Sequence, residues 1–281
     1  MTRPVRFLKG HGTQNDFVLL PDPDEGLDLT PALVRALCDR RVGLGADGVL
    51  RVVPSESSPA GSDGPTWFMD HRNADGSTAE MCGNGLRLFA RYLVHSGLSE
   101  PGELRIATRA GVRRTEVRGD GTVRVEMGQA IVGVRSMARA GGREFAGTAV
   151  SMGNPHLVCL GAWPVADLDL SRPPEVDGAM FPDGVNVEFG TVGSEYVDGV
   201  DSQVRMRVHE RGVGETRACG TGACAVAAAV LGGATGVVAV DQPGGRVLVE
   251  IEEGNSWLTG PAVFVAEGTL DPAWLSAIEQ A

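Results

Sequence analysis

Apolar positions in this chain fall mostly in short runs bounded by Gly, Pro, Asn, Asp and Ser, the pattern of strands joined by tight turns. Val5–Lys9 and Phe17–Leu20 form the first pair of runs. A helix is expected next, with Thr30 as N-cap and Pro31 in its first turn, ending near Arg40–Gly43. Gly48–Val53 and Trp67–His71 read as strands on either side of an exposed, mobile Ser/Pro/Gly-rich loop at 54–65. Gly85–His95 reads as a helix, with Leu86, Phe89, Leu93 and Val94 on one face. Later strands are expected at Val112–Val117, Val123–Met127, Ala149–Met152, Leu157–Leu160, Val185–Phe189, Val204–Val208, Val237–Val240, Val247–Ile251 and Ala262–Ala266. A small-residue helix at Gly222–Leu231 interrupts them, and Pro272–Glu279 suits a short terminal helix.

The two halves repeat this grammar. Cys82 stands in Cys-Gly-Asn-Gly and Cys219 in Cys-Gly-Thr-Gly, each opening an apolar helix. Asn15 precedes Cys82 by 67 residues and Asn154 precedes Cys219 by 65, while Asn73 and Glu210 each lie nine residues ahead of their cysteine. These coincidences point to two similar domains, each contributing one Cys-Gly-X-Gly turn to a shared cleft.

The remaining chemistry narrows the picture. A formal net charge of −11 with no basic cluster argues against a nucleic-acid partner. The uncharged stretch Ala218–Val240 is rich in Ala and Gly and is cut by Gly232–Gly233, so it reads as a buried helix and strand, not a membrane span. Five cysteines without dense spacing, and no secretory signal, suggest free thiols in the cytoplasm. Gly43-Leu44-Gly45-Ala46-Asp47-Gly48 matches a dinucleotide fingerprint by letter, but here a helix precedes and a strand follows, the reverse of what that fingerprint needs. Zinc-type spacing and a Gly-X-Ser-X-Gly elbow are absent.

A cysteine at a helix start is chemically special. The unpaired N–H groups and the helix dipole favour negative charge there, which is expected to lower the thiol's pKa and to suit a carboxylate ligand. Two such turns facing one carbon suggest a two-base proton transfer: one thiolate removes the α-proton of an amino acid and the opposing thiol returns one to the other face. Cys38 (mid-helix), Cys159 (in a strand) and Cys224 (inside the second helix) fit the blander role of small core residues.

Four segments carry a family resemblance: Lys9-Gly10-His11-Gly12-Thr13-Gln14-Asn15-Asp16-Phe17; Asn73 to Gly85 with its Met81-Cys82-Gly83-Asn84-Gly85; Gly153-Asn154-Pro155-His156; and Glu210 to Gly222 with its Ala218-Cys219-Gly220-Thr221-Gly222. In order and spacing, over nearly the whole chain, the sequence resembles the diaminopimelate epimerases. The resemblance implies an α/β (α+β) fold of two pseudo-symmetric domains, each a curved mixed sheet wrapped around a central helix. Residues 1–126 with 265–281 would carry Cys82, residues 127–264 would carry Cys219, and the active site would lie in the cleft between them. It implies interconversion of LL- and meso-2,6-diaminoheptanedioate, for lysine and peptidoglycan precursors, without pyridoxal phosphate, other cofactor or metal. By carry-over, Cys82 and Cys219 are the catalytic bases, and His156 and Glu210 assist their ionisation. Gly83, Asn84, Gly220 and Thr221 offer main-chain N–H groups to the reacting carboxylate. Asn15, Asn73, Asn154, Asn186, Glu210 and Arg211 bind the substrate, chiefly its distal end, where Arg211 suits a carboxylate. Some relatives carry glutamine where this chain has Gly48, so a side-chain contact is lost there.

Three rivals are weighed against this expectation. A pyridoxal-phosphate racemase needs a Schiff-base lysine, and Lys9 is the sole lysine. A same-fold enzyme could instead be a proline-type or histidine racemase or a phenazine-pathway-type isomerase; the last usually lacks the cysteine pair, and a proline-type site would not need Arg211 and several asparagines for a distal zwitterion. A non-catalytic thiol-redox binding protein would exchange no α-proton. The expected partner is a small amino-acid substrate, with neither nucleic acid nor membrane; a homodimer is allowed but not required.

Overall fold

The computed structural model describes residues 4–57, 64, 66–193 and 198–279. In chain order the elements are β1 (Arg6–Gly12), β2 (Asn15–Pro21), α1 (Pro31–Cys38), β3 (Gly48–Pro54), β4 (Trp67–Asn73), α2 (Gly83–His95), β5 (Gly102–Thr108), β6 (Gly111–Val117) and β7 (Thr122–Glu126). They continue with β8 (Ile131–Ala140), β9 (Arg143–Ser151), β10 (Pro155–Leu160), β11 (Glu175–Val176), β12 (Asn186–Val192), β13 (Ser202–Glu210) and β14 (Gly214–Thr216). The chain closes with α3 (Gly220–Val230), β15 (Gly236–Gln242), β16 (Gly245–Glu252), β17 (Asn255–Pro261), β18 (Val263–Thr269) and α4 (Pro272–Glu279). Of the loop expected at 54–65, Ser55–Ser57 form one 3₁₀ turn, and residues 58–63 and 65 lie outside the described residues.

The chain divides into Met1–Val125 with Pro261–Ala281, and Glu126–Gly260. The return to the first unit falls at Pro261, ahead of the expected 265, because Val263 already pairs with His11 of β1. Each unit is a mixed sheet, and the two are built alike. In the first, β18, β1 and β2 run antiparallel, β2 and β3 parallel, β3 and β4 antiparallel, β4 and β5 parallel, then β5, β6 and β7 antiparallel. In the second, β8, β9 and β10 run antiparallel, β10 and β12 parallel, β12 and β13 antiparallel, β13 and β15 parallel, then β15, β16 and β17 antiparallel. The spacing repeat is thus a repeat of topology.

One helix lies at the centre of each sheet. Helix α2 packs against β1, β2, β3, β4 and β6, and α3 against β8, β9, β10, β12, β13, β15 and β16. A straight helix reaches strands so far apart only if the sheet curves round it. Burial agrees: Leu86, Leu88, Phe89, Ala90 and Leu93 of α2, and Ala223 to Ala228 of α3, are buried on all sides. Alanines suit α3 because they lose no side-chain entropy and let strands approach closely. Helix α1 packs outside its sheet with α4, over Val18, Leu20 and Val49, with Thr30 Oγ1 accepting from the Leu33 N–H at 3.2 Å.

Both central helices begin two residues earlier than their apolar patterns suggested, directly after the cysteine. Glycines are tolerated in the first turn, where the backbone N–H groups have no partner within the helix. Cys38 closes α1 instead of lying mid-helix.

Candidate active site

The first cysteine turn is held by a buried polar network. Cys82 caps α2 with extended backbone angles (φ −138°, ψ 119°), and its thiol points to Asn15 Oδ1 at 3.6 Å. Asn15 comes from the hairpin between β1 and β2, whose turn residues Thr13 and Gln14 adopt positive φ (50° and 63°). Such angles are uncommon outside glycine and suit a tight two-residue turn. The Asn15 amide is fixed at both ends: Asn84 Nδ2 donates to its oxygen at 3.2 Å, and its own nitrogen donates to Asp47 at 2.7 Å. Behind them lies Arg87, fully buried, donating to Thr13 Oγ1 at 3.0 Å, Asn84 Oδ1 at 2.9 Å and the Pro261 carbonyl at 3.2 Å. Burial works to raise the Asp16 carboxyl beside Asp47, but Arg40 and Lys9 hold it far below the usual carboxylate range.

The second turn has a different chemistry. Cys219 caps α3; its sulfur accepts from the Gly222 N–H at 3.3 Å and lies 3.5 Å from Thr221 Oγ1. The Cys219 N–H donates to Gln242 Oε1 at 2.8 Å. Glu210 accepts a hydrogen bond from Thr216 Oγ1, and its charge acts on the Cys219 thiol. His156 and Glu188 are fully buried beneath the turn, with Nδ1 2.7 Å from Glu188 Oε1 and Nε2 3.1 Å from Asn154 Oδ1; Asn154 Nδ2 donates to Thr221 Oγ1 at 3.5 Å.

The helix-start argument predicted a lowered thiol pKa, and for Cys219 the structure reverses it. Burial pushes this thiol well above its ordinary range, and the Glu210 and Glu188 charges push the same way; the Thr221 and Gly222 hydrogen bonds offset only part. The dipole effect is limited to a turn and about 0.3–1 kcal/mol at exposed sites, so desolvation beside two carboxylates outweighs it. Glu210 is raised too, by burial first, against the hydrogen bond from Thr216. Cys38 and Cys159 rise to about 11 and about 12 for the same reason, burial.

The expected site residues distribute as follows. Asn15, Cys82, Gly83 and Asn84 gather at the first turn; Asn154, His156, Glu210, Cys219, Gly220 and Thr221 gather at the second. Asn73 is exposed at the end of β4, bonded to Ser77 Oγ at 3.0 Å. Asn186 accepts from the Arg211 N–H at 2.9 Å and donates to the Pro155 carbonyl at 3.3 Å, so it ties β10 to the Arg211 backbone. The exposed Arg211 guanidinium donates to the Asp183 carbonyl at 3.2 Å. At Gly48 a Cβ would stand 2.6 Å from the Arg72 carbonyl oxygen, so this backbone has no room for a larger residue unless β4 shifts.

Thr13, Asp47, Arg87, Glu188 and Gln242 were not foreseen. Arg87 and Glu188 did carry a signal, being charges at positions whose neighbours read as core. Lys9, the only lysine, is engaged by Asp16 Oδ2 at 2.5 Å and by the Gly45 carbonyl. Among the described residues no three His, Cys, Asp or Glu side chains group as a metal site, and no helix is long and apolar enough to cross a membrane.

The family model described as diaminopimelate epimerase matches residues 7–132 and 148–265. The chain is 50% identical to a diaminopimelate epimerase of Streptomyces coelicolor, with 99% of each chain covered. It is 51% identical to that of Thermobifida fusca, covering 94% of this chain and 97% of the relative. Among solved structures, a probable proline racemase from Agrobacterium radiobacter superposes with a TM-score of 0.68 at 16% identity, covering 95% of this chain and 93% of that one, a likeness of fold.

Proposed function

The chain belongs to the diaminopimelate epimerase family, and from that premise we propose that it interconverts LL- and meso-2,6-diaminoheptanedioate by two-thiol proton transfer. The observation that carries the reading is the pair of Cys-Gly-X-Gly turns, each placing a cysteine at the N-cap of a buried central helix. First-turn N–H groups have no partner within the helix and favour negative charge. In this reading they hold the α-carboxylate and stabilise charge that develops on it as the α-proton leaves. One sulfur, as thiolate, takes that proton; the other, as thiol, returns one to the opposite face. The configuration inverts and the thiols exchange roles. The raised Cys219 thiol suits the proton-donating role in the resting enzyme.

Asn15 and Asn154, whose amides are held by neighbours, would fix the reacting end. Asn73, Asn186, Glu210 and Arg211 would serve the distal ammonium and carboxylate. The enzyme would work in the cytoplasm, where a reducing environment keeps the thiols free, on lysine and peptidoglycan precursors, and as a homodimer.

The test is α-proton exchange in D₂O, followed by NMR, with diaminopimelate, proline and histidine offered separately to reduced enzyme. Exchange and epimerisation of diaminopimelate alone are expected. Turnover of proline or histidine instead would replace the substrate, and full turnover by a Cys82→Ser/Cys219→Ser variant would end the two-thiol reading. Sedimentation checks the dimer.

A further inference from the structure

The two units differ in what lies under their cysteine helices. In the first, the second glycine of the turn, Gly85, faces Leu50 and Phe17, both buried. Phe17 pairs with Gly48 in the parallel β2–β3 ladder, and Leu50 lies two residues further on. In the second, the parallel β10–β12 ladder pairs His156 with Asn186, and Glu188 lies two residues further on. Position for position, His156 and Glu188 stand where Phe17 and Leu50 stand. Gly222, counterpart of Gly85, faces the Glu188 carboxylate: a Cβ there would lie 2.7 Å from Oε1.

The fold therefore accepts an apolar pair here, and the second unit buries a carboxylate instead. One Glu188 oxygen meets His156 Nδ1; the other, Oε2, is buried with no hydrogen-bond partner among the described residues. A buried ion pair is a poor way to gain stability, since well-packed apolar residues do as well or better. The pair needs another reason.

The hydrogen bonds supply one. Nδ1 faces a carboxylate and Nε2 faces the Asn154 carbonyl oxygen, two acceptors that together call for an N–H on each ring nitrogen. That state fixes the Asn154 amide with its oxygen toward the core and its NH₂ toward Thr221, next to Cys219. With a neutral side chain in place of Glu188, an N–H at Nδ1 alone serves that neighbour and leaves Nε2 bare. A bare Nε2 then draws in the Asn154 NH₂ and turns the amide oxygen outward, toward the place where the reading above puts a carboxylate.

We propose that Glu188 is a positioning residue for this epimerisation: through His156 it orients the Asn154 amide, so that a donor and not an acceptor is presented at the Cys219 turn. The inference rests on the two-thiol reading and adds to it a role for a residue that acts through its neighbours.

Ring ¹⁵N–¹H spectra of histidine-labelled enzyme, with His156 assigned by its loss in His156→Phe, read the proton count directly. Two ring N–H signals are expected in wild type and one in Glu188→Gln. The Glu188→Gln variant should lose roughly tenfold or more in kcat, the size usual for removing a partner that orients a site residue. The double variant His156→Phe/Glu188→Leu imports the packing of the first unit. It should melt cooperatively, yet lose at least as much activity. A singly protonated His156 in wild type, or wild-type kcat in either folded variant, would overturn the proposal. So would a double variant unable to fold, since the pair would then be structural. If wild type exchanges no α-proton at all, it is the two-thiol reading that fails, and the ring signals still report whether Glu188 holds the second proton.

Discussion

The glycines at equivalent places in the two turns allow a controlled perturbation. In Gly222→Ala the new methyl lies 2.7 Å from Glu188 Oε1 and 3.3 Å from Cys219 Sγ, the first closer than real side chains come to an oxygen. The carboxylate cannot retreat without lengthening its 2.7 Å contact to His156. Overpacking a filled core costs about 1–3 kcal/mol. Alanine returns at most about 1 kcal/mol over glycine in a helix, less in a first turn. Net destabilisation of about 1–2 kcal/mol follows for Gly222→Ala. In Gly85→Ala the nearest atoms are Leu50 Cδ2 at 3.2 Å and Phe17 Cζ at 3.4 Å, ends of apolar side chains that can give by a few tenths of an ångström. Cost and gain then cancel to within about 0.5 kcal/mol. Urea denaturation of both variants measures the difference. In the His156→Phe/Glu188→Leu background, Gly222→Ala should fall back to the Gly85→Ala value. Equal losses from the two substitutions in wild type would show that the carboxylate is not the obstacle, and the reasoning would fail.

Three further outcomes follow. His71 is buried, and burial, followed by the Arg109 charge, pulls its pKa down to about 4, only partly opposed by Asp70. The unfolded chain therefore takes up a proton between about pH 6.5 and pH 4 that the folded chain refuses, so stability falls as pH falls through that window. Urea melts at pH 7.5 and 4.5 should differ by about 2–3 kcal/mol more in wild type than in His71→Phe; equal differences would refute it. Limited alkylation at neutral pH, followed by mass spectrometry, should modify the half-buried Cys82 before the buried Cys219, and Glu210→Gln should speed labelling at Cys219 by removing a charge that opposes its thiolate. On the proposal that Arg211 serves the distal carboxylate, Arg211→Ala should raise KM for diaminopimelate at least tenfold with a smaller change in kcat, in steady-state assays, because a distal contact would be made equally in ground and transition states.

Much of this arrangement was legible in the residues. The two Cys-Gly-X-Gly turns, their matched spacing to Asn15 and Asn154, and the strand-rich pattern between them are local or periodic signals, and the chain folds accordingly. The long hairpin of β8 and β9 was only partly visible, because β8 carries exposed Ile131, Val134 and Met137 among its polar residues and so shows no clean alternation. The helix starts were misplaced because glycine argues against helix in any single window, whereas a cap is a matter of backbone angles.

What the sequence determined by itself is the chemistry on offer: which residue types stand at the two turns, and that there are two of them. What only tertiary structure decided is how each turn is tuned. Two cysteines with nearly identical neighbours in sequence meet different partners in space: Asn15 and the Arg87 network at one, Glu210, His156 and Glu188 at the other. The physical reason is that desolvation and charge act through distance and burial. A carboxylate dozens of residues away can outweigh the helix end next door, and no local motif records it.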